Sequence, residues 1–402
     1  MLRRPVLFAT LGALGLAIAG CRSSGPGGGE VTDDAPPDDA PIDSDVPGDV
    51  PGDVPGNGLP DTMITSGPMG DVSAGQVLAY AFTSPTGVSF ECRVDAAELT
   101  ACKSPFTATA LAGAHTFEVR AIDADGDVDP TPATRGYNGV TGATRVRLMA
   151  GNLTSGNNQA YEGPGTRIFQ GLHPDIAMIQ EFNVGDNTAA TIRAWVDTAF
   201  GTSFVFFRES GAQIPNGIVS RYPILASGIW QDPQSPNREF AYGRIDVPGA
   251  VDLWAVSVHL LTDNTKRPAE ATALVGFITA NVPAGDYLAI AGDFNSDNRT
   301  EPAITTLGQV VKITAPFPAD QAGDGDTNAG RTSPYDWVML DGDLYARQVA
   351  VTIGASSFAS GLVFDSRVYT PLTDVSPVLA TDSAAFNMQH MGVVKDVLLP
   401  AP

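Results

Sequence analysis

One apolar run constrains the fold of this chain more than any other stretch: residues 286–295, which read Asp-Tyr-Leu-Ala-Ile-Ala-Gly-Asp-Phe-Asn. Apolar runs of this length, bounded by Gly and Asp, are typical of buried strands. Because side chains alternate along a strand, Asp293 and Asn295 are expected two positions apart on one face, at the end of the strand. Taken alone, a polar end of this kind is also typical of a plain turn, so its interpretation depends on the rest of the chain.

The first twenty residues have the composition of an export signal. Two arginines precede an apolar run that ends near Gly20 and is too short for a permanent membrane anchor. The run ends in Leu-Ala-Ile-Ala-Gly-Cys, which resembles the lipobox of bacterial lipoproteins and implies that Cys21 carries acyl chains inserted in a membrane. Arg22 is not the Asp associated in that family with inner-membrane retention, so the resemblance implies an outer-membrane or cell-surface location. An ordinary secretory signal with an incidental cysteine is the alternative.

Residues 21–59 are expected to be a disordered tether. They are rich in Gly, Pro, Asp and Ser and contain a tandem Val-Pro-Gly-Asp repeat, with few bulky apolar groups to offset the entropy of ordering. The formal net charge of the whole chain is −22. From residue 144 onward there are 26 acidic and 16 basic residues, a net charge of −10. This charge argues against a general nucleic-acid-binding surface and leaves a local basic groove open.

Residues 60–140 predict a small antiparallel β-sandwich. The runs 77–82 and 115–122 alternate between apolar and polar side chains and are separated by turns rich in Gly and Asp. The sequence around Cys92 and Cys102 looks like the immunoglobulin-like modules of bacterial surface proteins. Because export places the chain in an oxidising compartment, we expect a disulfide between these two cysteines. A spacer is the expected role of this module, and carbohydrate binding is the alternative.

From residue 144 the sequence alternates between strand and helix patterns, and several predicted strands end in polar side chains. Asn152 ends one strand, Glu181 ends a second, and Asp293 ends the strand described above. We expect these side chains to reach one site. Hard oxygen donors of this kind suit Mg²⁺ or Mn²⁺ better than zinc.

Seven short motifs in the second half of the chain resemble, in the same order, those of the endonuclease/exonuclease/phosphatase superfamily. They are Asn152 at a strand end, residues 179–181, 216–224, 256–260, 292–295 and 335–338, and a late His390. The resemblance implies an α+β fold for residues 144–402: a four-layer α/β/β/α sandwich, as in deoxyribonuclease I. The immunoglobulin-like sandwich would precede it, and the active site would lie at one end of the two sheets.

The resemblance also implies roles for individual side chains, because phosphodiester hydrolysis needs a cation on the phosphate, an activated water and an acid for the leaving group. The implied catalytic residues are His259, Asp293, Asn295, Asp336 and His390; the phosphate-binding residues are Asn152 and Arg238; the metal ligands are Glu181, Asn152 and Gln389. In this scheme Asp293 orients the water, His259 is the candidate general acid, and Asp336 orients His390. His390 is either the general base or a charged stabiliser of the transition state. Glu239 is placed near His259.

One position departs from the family pattern. The residue before the final histidine is usually an Asp at the metal and phosphate site, whereas here it is Gln389. Its amide offers an oxygen but no charge, so metal binding is expected to weaken or to shift toward Glu181. The favoured function is a monomeric, Mg²⁺- or Mn²⁺-dependent phosphodiesterase acting on DNA or RNA as a nuclease. The alternatives are a phospholipid or small-molecule phosphodiesterase or phosphatase, and a non-catalytic surface-binding protein.

Overall fold

The structure, a computed structural model, describes residues 59–400. The predicted signal peptide, the lipidation site Cys21 and nearly all of the predicted tether therefore lie outside the described residues. Within residues 59–400, none of the helices combines the length and the hydropathy needed to span a bilayer.

The first eight strands form two sheets packed face to face. The strands are β1 (Met63–Ser66), β2 (Gly70–Ser73), β3 (Val77–Thr83), β4 (Ser89–Val94), β5 (Thr100–Cys102), β6 (Phe106–Thr109), β7 (Gly113–Ile122) and β8 (Ala133–Val140). One sheet has the order β1-β3-β6 and the other β2-β8-β7-β4-β5. Alternate side chains of β3 and β7 meet in the core, where the rings of Tyr80 and Phe117 stack with centroids 4.3 Å apart.

The predicted sandwich is therefore present, with one difference in its pairing. Strand β2 runs parallel to β8, so the sandwich is not wholly antiparallel. The predicted disulfide joins Cys92 in β4 to Cys102 in the neighbouring strand β5. The immunoglobulin-like class of this unit stays a prediction.

The remaining elements belong to a larger mixed α/β sandwich. They are β9 (Ala143–Gly151), α1 (Gly163–Leu172), β10 (Ile176–Ile179), α2 (Ala189–Ala199), β11 (Val205–Arg208), β12 (Gly217–Ser220), β13 (Ile224–Trp230), β14 (Phe240–Ile245), β15 (Leu253–His259), α3 (Arg267–Asn281), β16 (Tyr287–Asp293), α4 (Pro302–Leu307), β17 (Asp336–Leu340), α5 (Gly342–Tyr345), β18 (Gln348–Val349), β19 (Val351–Ile353), β20 (Ser356–Phe358), β21 (Leu362–Phe364), two 3₁₀ turns (Leu372–Val375 and Asp382–Ala384) and β22 (Gly392–Pro400).

Three hydrophobic clusters show the order of the layers. The first sheet has the order β11-β12-β10-β9-β22-β18, with β21 also paired to β22, and the second has the order β13-β14-β15-β16-β17. One cluster packs α1 and α2 on the outer face of the first sheet, and another packs α3 and α4 on the outer face of the second. The third lies between the two sheets, with Leu148 and Ala289 among its fully buried members. The layers therefore follow the order helix, sheet, sheet, helix.

A two-residue turn, Thr141-Gly142, joins the small sandwich to the larger one. Side-chain hydrogen bonds reinforce this junction. The Ser73 hydroxyl donates to the carbonyl of Ala143 at 2.7 Å, and the Gln76 amide donates to the Thr352 hydroxyl at 3.2 Å. The sandwich is thus attached to the first sheet by a short link and by direct contacts.

A buried ion pair stabilises the first sheet where β9 and β22 pair. Arg147 Nε donates to Asp396 Oδ1 at 2.8 Å and Arg147 Nη2 donates to Asp396 Oδ2 at 2.8 Å, with both residues buried. Arg147 also donates to the carbonyls of Leu172 and Thr352, at 2.9 and 3.0 Å. The guanidinium therefore ties β9 to three other segments.

We expect Arg147→Met to lower the free energy of unfolding by about 3–5 kcal/mol, because it leaves the Asp396 carboxylate buried without its main partner. Urea denaturation measures this loss. Arg145 is the matched control, since its side chain, 33% exposed, contacts the same carboxylate at 3.1 Å. Arg145→Met is expected to cost about 1 kcal/mol or less. Equal losses of unfolding free energy in the two variants would mean that the burial of Arg147 does not determine its contribution.

Candidate active site

The predicted site residues converge because strand ends from both sheets of the larger sandwich meet at one of its edges. Strands β15 and β16 are parallel, and their register places His259 opposite Asp293. Strand β17 runs antiparallel to β16, so its first residue, Asp336, also lies opposite Asp293. In the facing sheet, Asn152 follows β9, and β10, which runs parallel to β9, leads into Glu181.

Asp293, Asp336 and His390 form the most compact group of the site. His390 Nδ1 donates to Asp336 Oδ2 at 3.0 Å, and His390 Nε2 lies 3.5 Å from Asp293 Oδ2. One ligand atom from each residue lies within 4.8 Å of those of the other two, and all three are buried. The histidine thus lies between two carboxylates, one at each ring nitrogen.

These contacts set the charges in the group. Burial disfavours the imidazolium form of His390, but attraction to Asp336 and Asp293 outweighs burial and raises its pKa to about 10. Burial also raises the pKa of Asp336 and raises that of Asp293 to about 6, although His390 pulls both pKa values downward. At neutral pH the histidine is therefore charged and stabilises the two carboxylates.

Glu181 lies beside this group and is held by several donors. Asn152 Nδ2 donates to Glu181 Oε1 at 3.3 Å and to Asp293 Oδ2 at 3.2 Å, which links the two carboxylates. The Thr154 hydroxyl and the Gln159 amide donate to Glu181 at 3.0 and 3.2 Å. Burial raises the pKa of Glu181. Thr154 could have been identified from the sequence, because it lies two residues after Asn152 on the same loop. Nothing in the sequence around Gln159 marks that residue as part of the site.

His259 differs from His390 in its charge. Burial, together with the charges of Arg238 and His390, holds the pKa of His259 well below its usual value, so it is neutral at pH 7. Its Nε2 lies 3.2 Å from Asp293 Oδ2. Its Nδ1 is buried with no hydrogen-bond partner within residues 59–400. The side chain of Glu239 accepts a hydrogen bond from the backbone N–H of Asp232, and its expected proximity to His259 stays a prediction.

Three other predicted residues make contacts that sequence reasoning did not anticipate. Arg238 is buried and donates to the backbone carbonyls of His259 and Leu260, which fixes the end of β15. Asn295 donates its backbone N–H to Asp293 Oδ1 at 2.8 Å and its amide to Leu260, so it orients Asp293. The side chain of Gln389 is exposed and is not brought into the buried group.

Close backbone packing behind Asp293 requires the glycine that precedes it. Gly292 adopts φ 143°, and a Cβ there would lie 2.1 Å from the carbonyl oxygen of Val258 and 2.6 Å from Gln180 Nε2. The Gln180 amide in turn donates to the Ser257 hydroxyl at 2.8 Å, connecting the two sheets. No side chain fits at position 292, and this close approach holds Asp293 against the facing sheet.

The oxygen donors fit a divalent cation. Asn152 Oδ1 and Asp336 Oδ1 are buried without a hydrogen-bond partner among the described residues, as is Nδ1 of the neighbouring His259. Buried polar oxygens rarely stay unpaired, so these atoms point to a ligand. Together with Glu181 and Asp293 they form a set of hard oxygen donors, which Mg²⁺ and Mn²⁺ prefer.

A scan against family models matches residues 166–360 to the Endonuclease/Exonuclease/phosphatase family. The chain carries an endonuclease/exonuclease/phosphatase domain. Proteins with this domain are typically phosphoric ester hydrolases. The matched segment contains Glu181, His259, Asp293 and Asp336; Asn152 and His390 lie outside it, and the fold brings them to the same place. No curated protein matches the chain.

Solved structures resemble the domain only distantly. Truncated TDP2 from Caenorhabditis elegans is 14% identical with a TM-score of 0.41, and the match covers 63% of this chain and 98% of that one. A functionally unknown conserved protein from Enterococcus faecalis V583 is 11% identical with a TM-score of 0.45, covering 63% and 100%. An endonuclease/exonuclease/phosphatase family protein from Leptotrichia buccalis C-1013-b is 12% identical with a TM-score of 0.41, covering 63% and 99%. The domain assignment rests on the family match.

Proposed function

We propose that the chain is a metal-dependent phosphodiesterase that acts as a nuclease. The observation that carries this proposal is the group in which His390 lies between Asp293 and Asp336, with Glu181 and Asn152 beside it. A bound Mg²⁺ or Mn²⁺ would be held by Glu181 and the unpaired oxygen of Asn152, and would polarise a phosphate oxygen.

Side chains of the site carry out the proton transfer, bind the phosphate and hold one another in place. Asp293 accepts a proton from the attacking water, since its pKa of about 6 makes it a base at neutral pH. His390, charged at that pH, donates a hydrogen bond to the phosphate oxygen as negative charge develops. Asp336 holds the ring of His390 in place through Nδ1. The leaving alkoxide takes its proton from solvent water. His259 lies beside Asp293, with 3.2 Å between Nε2 and Oδ2, and its Nδ1 is free to accept a hydrogen bond from substrate or water.

One observation favours a second candidate, a phospholipid phosphodiesterase. Phe386 lies four residues before His390 and is 85% exposed. It lines a surface pocket together with Ser155, which follows the Glu181-binding residue Thr154 in sequence. An exposed Phe beside the site is of the type that inserts into the interface of a lipid layer.

Hydrolysis assays with the purified chain separate these functions. Bis-p-nitrophenyl phosphate, plasmid DNA, RNA and phospholipid vesicles are offered with Mg²⁺, with Mn²⁺ and with EDTA. Cleavage is expected to require Mg²⁺ or Mn²⁺ and to be lost in EDTA. It is expected to be fastest on a nucleic acid. Preferential cleavage of vesicles that falls in Phe386→Ser would favour the second candidate. No turnover on any substrate, in protein shown to be folded, would favour the non-catalytic surface-binding alternative.

Glu181→Gln is expected to raise the Mg²⁺ concentration for half-maximal activity by at least about tenfold, because even residues that only support a metal ligand typically contribute this much. The measurement is a Mg²⁺ titration of hydrolysis. Glu162→Gln is the matched control, since Glu162 is exposed and lines a surface pocket together with Ser155. An unchanged Mg²⁺ dependence in Glu181→Gln would remove Glu181 from the metal site.

We also propose that the chain is exported and held on a bacterial outer membrane or cell surface by acyl chains on Cys21. The support is the lipobox-like sequence that ends at this residue. Mass spectrometry of the N-terminal peptide from cells is expected to show acylated Cys21 as the first residue. Recovery of Cys21→Ser in the membrane fraction, at the level of the unchanged protein, would contradict lipid anchoring.

A further inference from the structure

A surface pocket lies beside the group of residues proposed to hold the metal. Its volume is about 260 Å³. Ser155, which lines it, directly follows Thr154, whose hydroxyl donates to Glu181 at 3.0 Å. Phe386, which also lines it, lies four residues before His390. Because a chain spans at most about 3.6 Å per residue, the Cα atoms of Phe386 and His390 are no more than about 14 Å apart. The pocket is therefore adjacent to the site of the proposed hydrolysis.

The lining combines an aromatic ring with an unpaired hydroxyl group. The side chain of Phe386 is 85% exposed, and Pro164 and Ala385 supply further apolar surface. Ser155 is only 5% exposed, and its Oγ is buried without a hydrogen-bond partner among the described residues. Buried hydroxyl groups rarely stay unpaired, so this atom points to a ligand that can form hydrogen bonds.

The other polar groups of the pocket favour a neutral ligand. Asn157 and Asn387 are exposed, and each amide offers two donor hydrogens and an acceptor oxygen. Among the lining residues only Glu162, the N-cap of α1, is charged. Its carboxylate disfavours a phosphate at this helix N-terminus, because it already supplies the negative charge that such a terminus attracts. A quaternary ammonium group would suit the ring and the carboxylate, but it has no hydrogen bond to offer the amides.

We propose that the pocket holds an unpaired nucleobase next to the cleaved phosphodiester bond, stacked on Phe386 and hydrogen-bonded by Asn157 and Asn387. This inference rests on the proposed nuclease function and specifies its substrate as a single strand, because a base inside a duplex is already stacked and paired. Pockets for whole drug-sized ligands have volumes of about 300–1,000 Å³, so about 260 Å³ fits one base better than a complete nucleotide. Every base has a π-face, so stacking on Phe386 does not require one particular base.

Cleavage kinetics with Mg²⁺ test the proposal on the full chain. Single-stranded oligonucleotides that contain one phosphodiester, with methylphosphonates at all other linkages, restrict cleavage to one bond. Removing the base on one side of this bond is expected to lower kcat/KM by about 5- to 150-fold, the range of base–aromatic stacking. Phe386→Leu, which keeps an apolar side chain without the ring, is expected to cause a similar loss on the intact strand. The two losses are expected not to add, because both remove the same contact.

Leu379→Ala is the matched control. Leu379 is 52% exposed, lies seven residues before Phe386 and does not line the pocket. This variant is expected to cleave the intact strand as fast as the unchanged protein does. An equal loss in Leu379→Ala and Phe386→Leu would overturn a specific role for the ring.

Three further outcomes would overturn the base pocket while leaving metal-dependent hydrolysis in place. Losses that add would mean that Phe386 does not stack on the removed base. Equal kcat/KM on a duplex with the same single phosphodiester would mean that no unpaired base is needed. Phosphatidylcholine vesicles cleaved faster than the intact strand, with a loss in Phe386→Leu, would assign the ring to a lipid surface. By contrast, no cleavage of the intact strand with Mg²⁺ or Mn²⁺, in protein shown to be folded, would overturn the proposed nuclease function itself, on which the base pocket rests.

Discussion

Replacing Asp293 with Asn is expected to lower kcat for phosphodiester hydrolysis by about 10²–10⁴-fold, the range that general acid–base groups contribute. The substitution keeps the size of the side chain but removes the base that faces His259 and His390. Steady-state kinetics with bis-p-nitrophenyl phosphate measure the loss. Asp286→Asn is the matched control, because Asp286 lies at the opposite end of β16 and contacts Trp254 at 3.0 Å.

The same variant is expected to be more stable than the unchanged protein in EDTA at pH 7. Asp293 has a folded-state pKa raised to about 6 from 3.8, so its ionisation in the folded state costs stability as pH rises through this window. Asn removes that cost, and the gain in Tm is expected to vanish below about pH 4. Activity at the wild-type level in Asp293→Asn would remove Asp293 from catalysis, whatever the stability shows.

His390→Ala is expected to lower kcat by a similar factor, about 10²–10⁴-fold, because the developing charge on the phosphate loses its cationic donor. His390→Ala is expected to lower the stability of the fold, whereas Asp293→Asn is expected to raise it. The folded-state pKa of His390 is about 10, above its ordinary value of 6.5, so its charge stabilises the fold fully below pH 6.5. This contribution is lost as pH rises through 10.

Thermal unfolding in EDTA across this pH range checks the prediction. The difference in Tm between the unchanged protein and His390→Ala is expected to be large at pH 6–7 and to shrink toward pH 10. His173→Asn is the control: His173 is exposed, and Asn tolerates its left-handed backbone, φ 49°. A pH-independent difference, or one that grows toward pH 10, would mean that His390 is not held charged by Asp336 and Asp293.

Much of this site could be predicted because apolar strands that end in polar side chains are visible in a sequence. Asn152, Glu181 and Asp293 are such endings, and the parallel register of neighbouring strands brings them to one edge. His390 and Asp336 were assigned through their order in the family pattern. The apolar runs likewise predicted the sandwich, since period-two alternation and buried runs depend on local sequence.

The rest could not be predicted because it depends on side-chain packing between distant segments. The sequence places Arg238 near the site, but only the fold shows its guanidinium bound to backbone carbonyls. Gln389 precedes a buried histidine, yet its own side chain is exposed. Lys395 alternates with valines in β22 and is only 6% exposed, and nothing in that pattern predicts a buried lysine. Each case depends on contacts between residues far apart in the chain.

The junction at Thr141-Gly142 changes what the small sandwich can do. A flexible spacer would let the larger unit rotate freely, whereas a two-residue link reinforced by Ser73 and Gln76 couples the tumbling of both units. A ligand held on the sandwich would therefore meet the active-site edge at a set distance and angle.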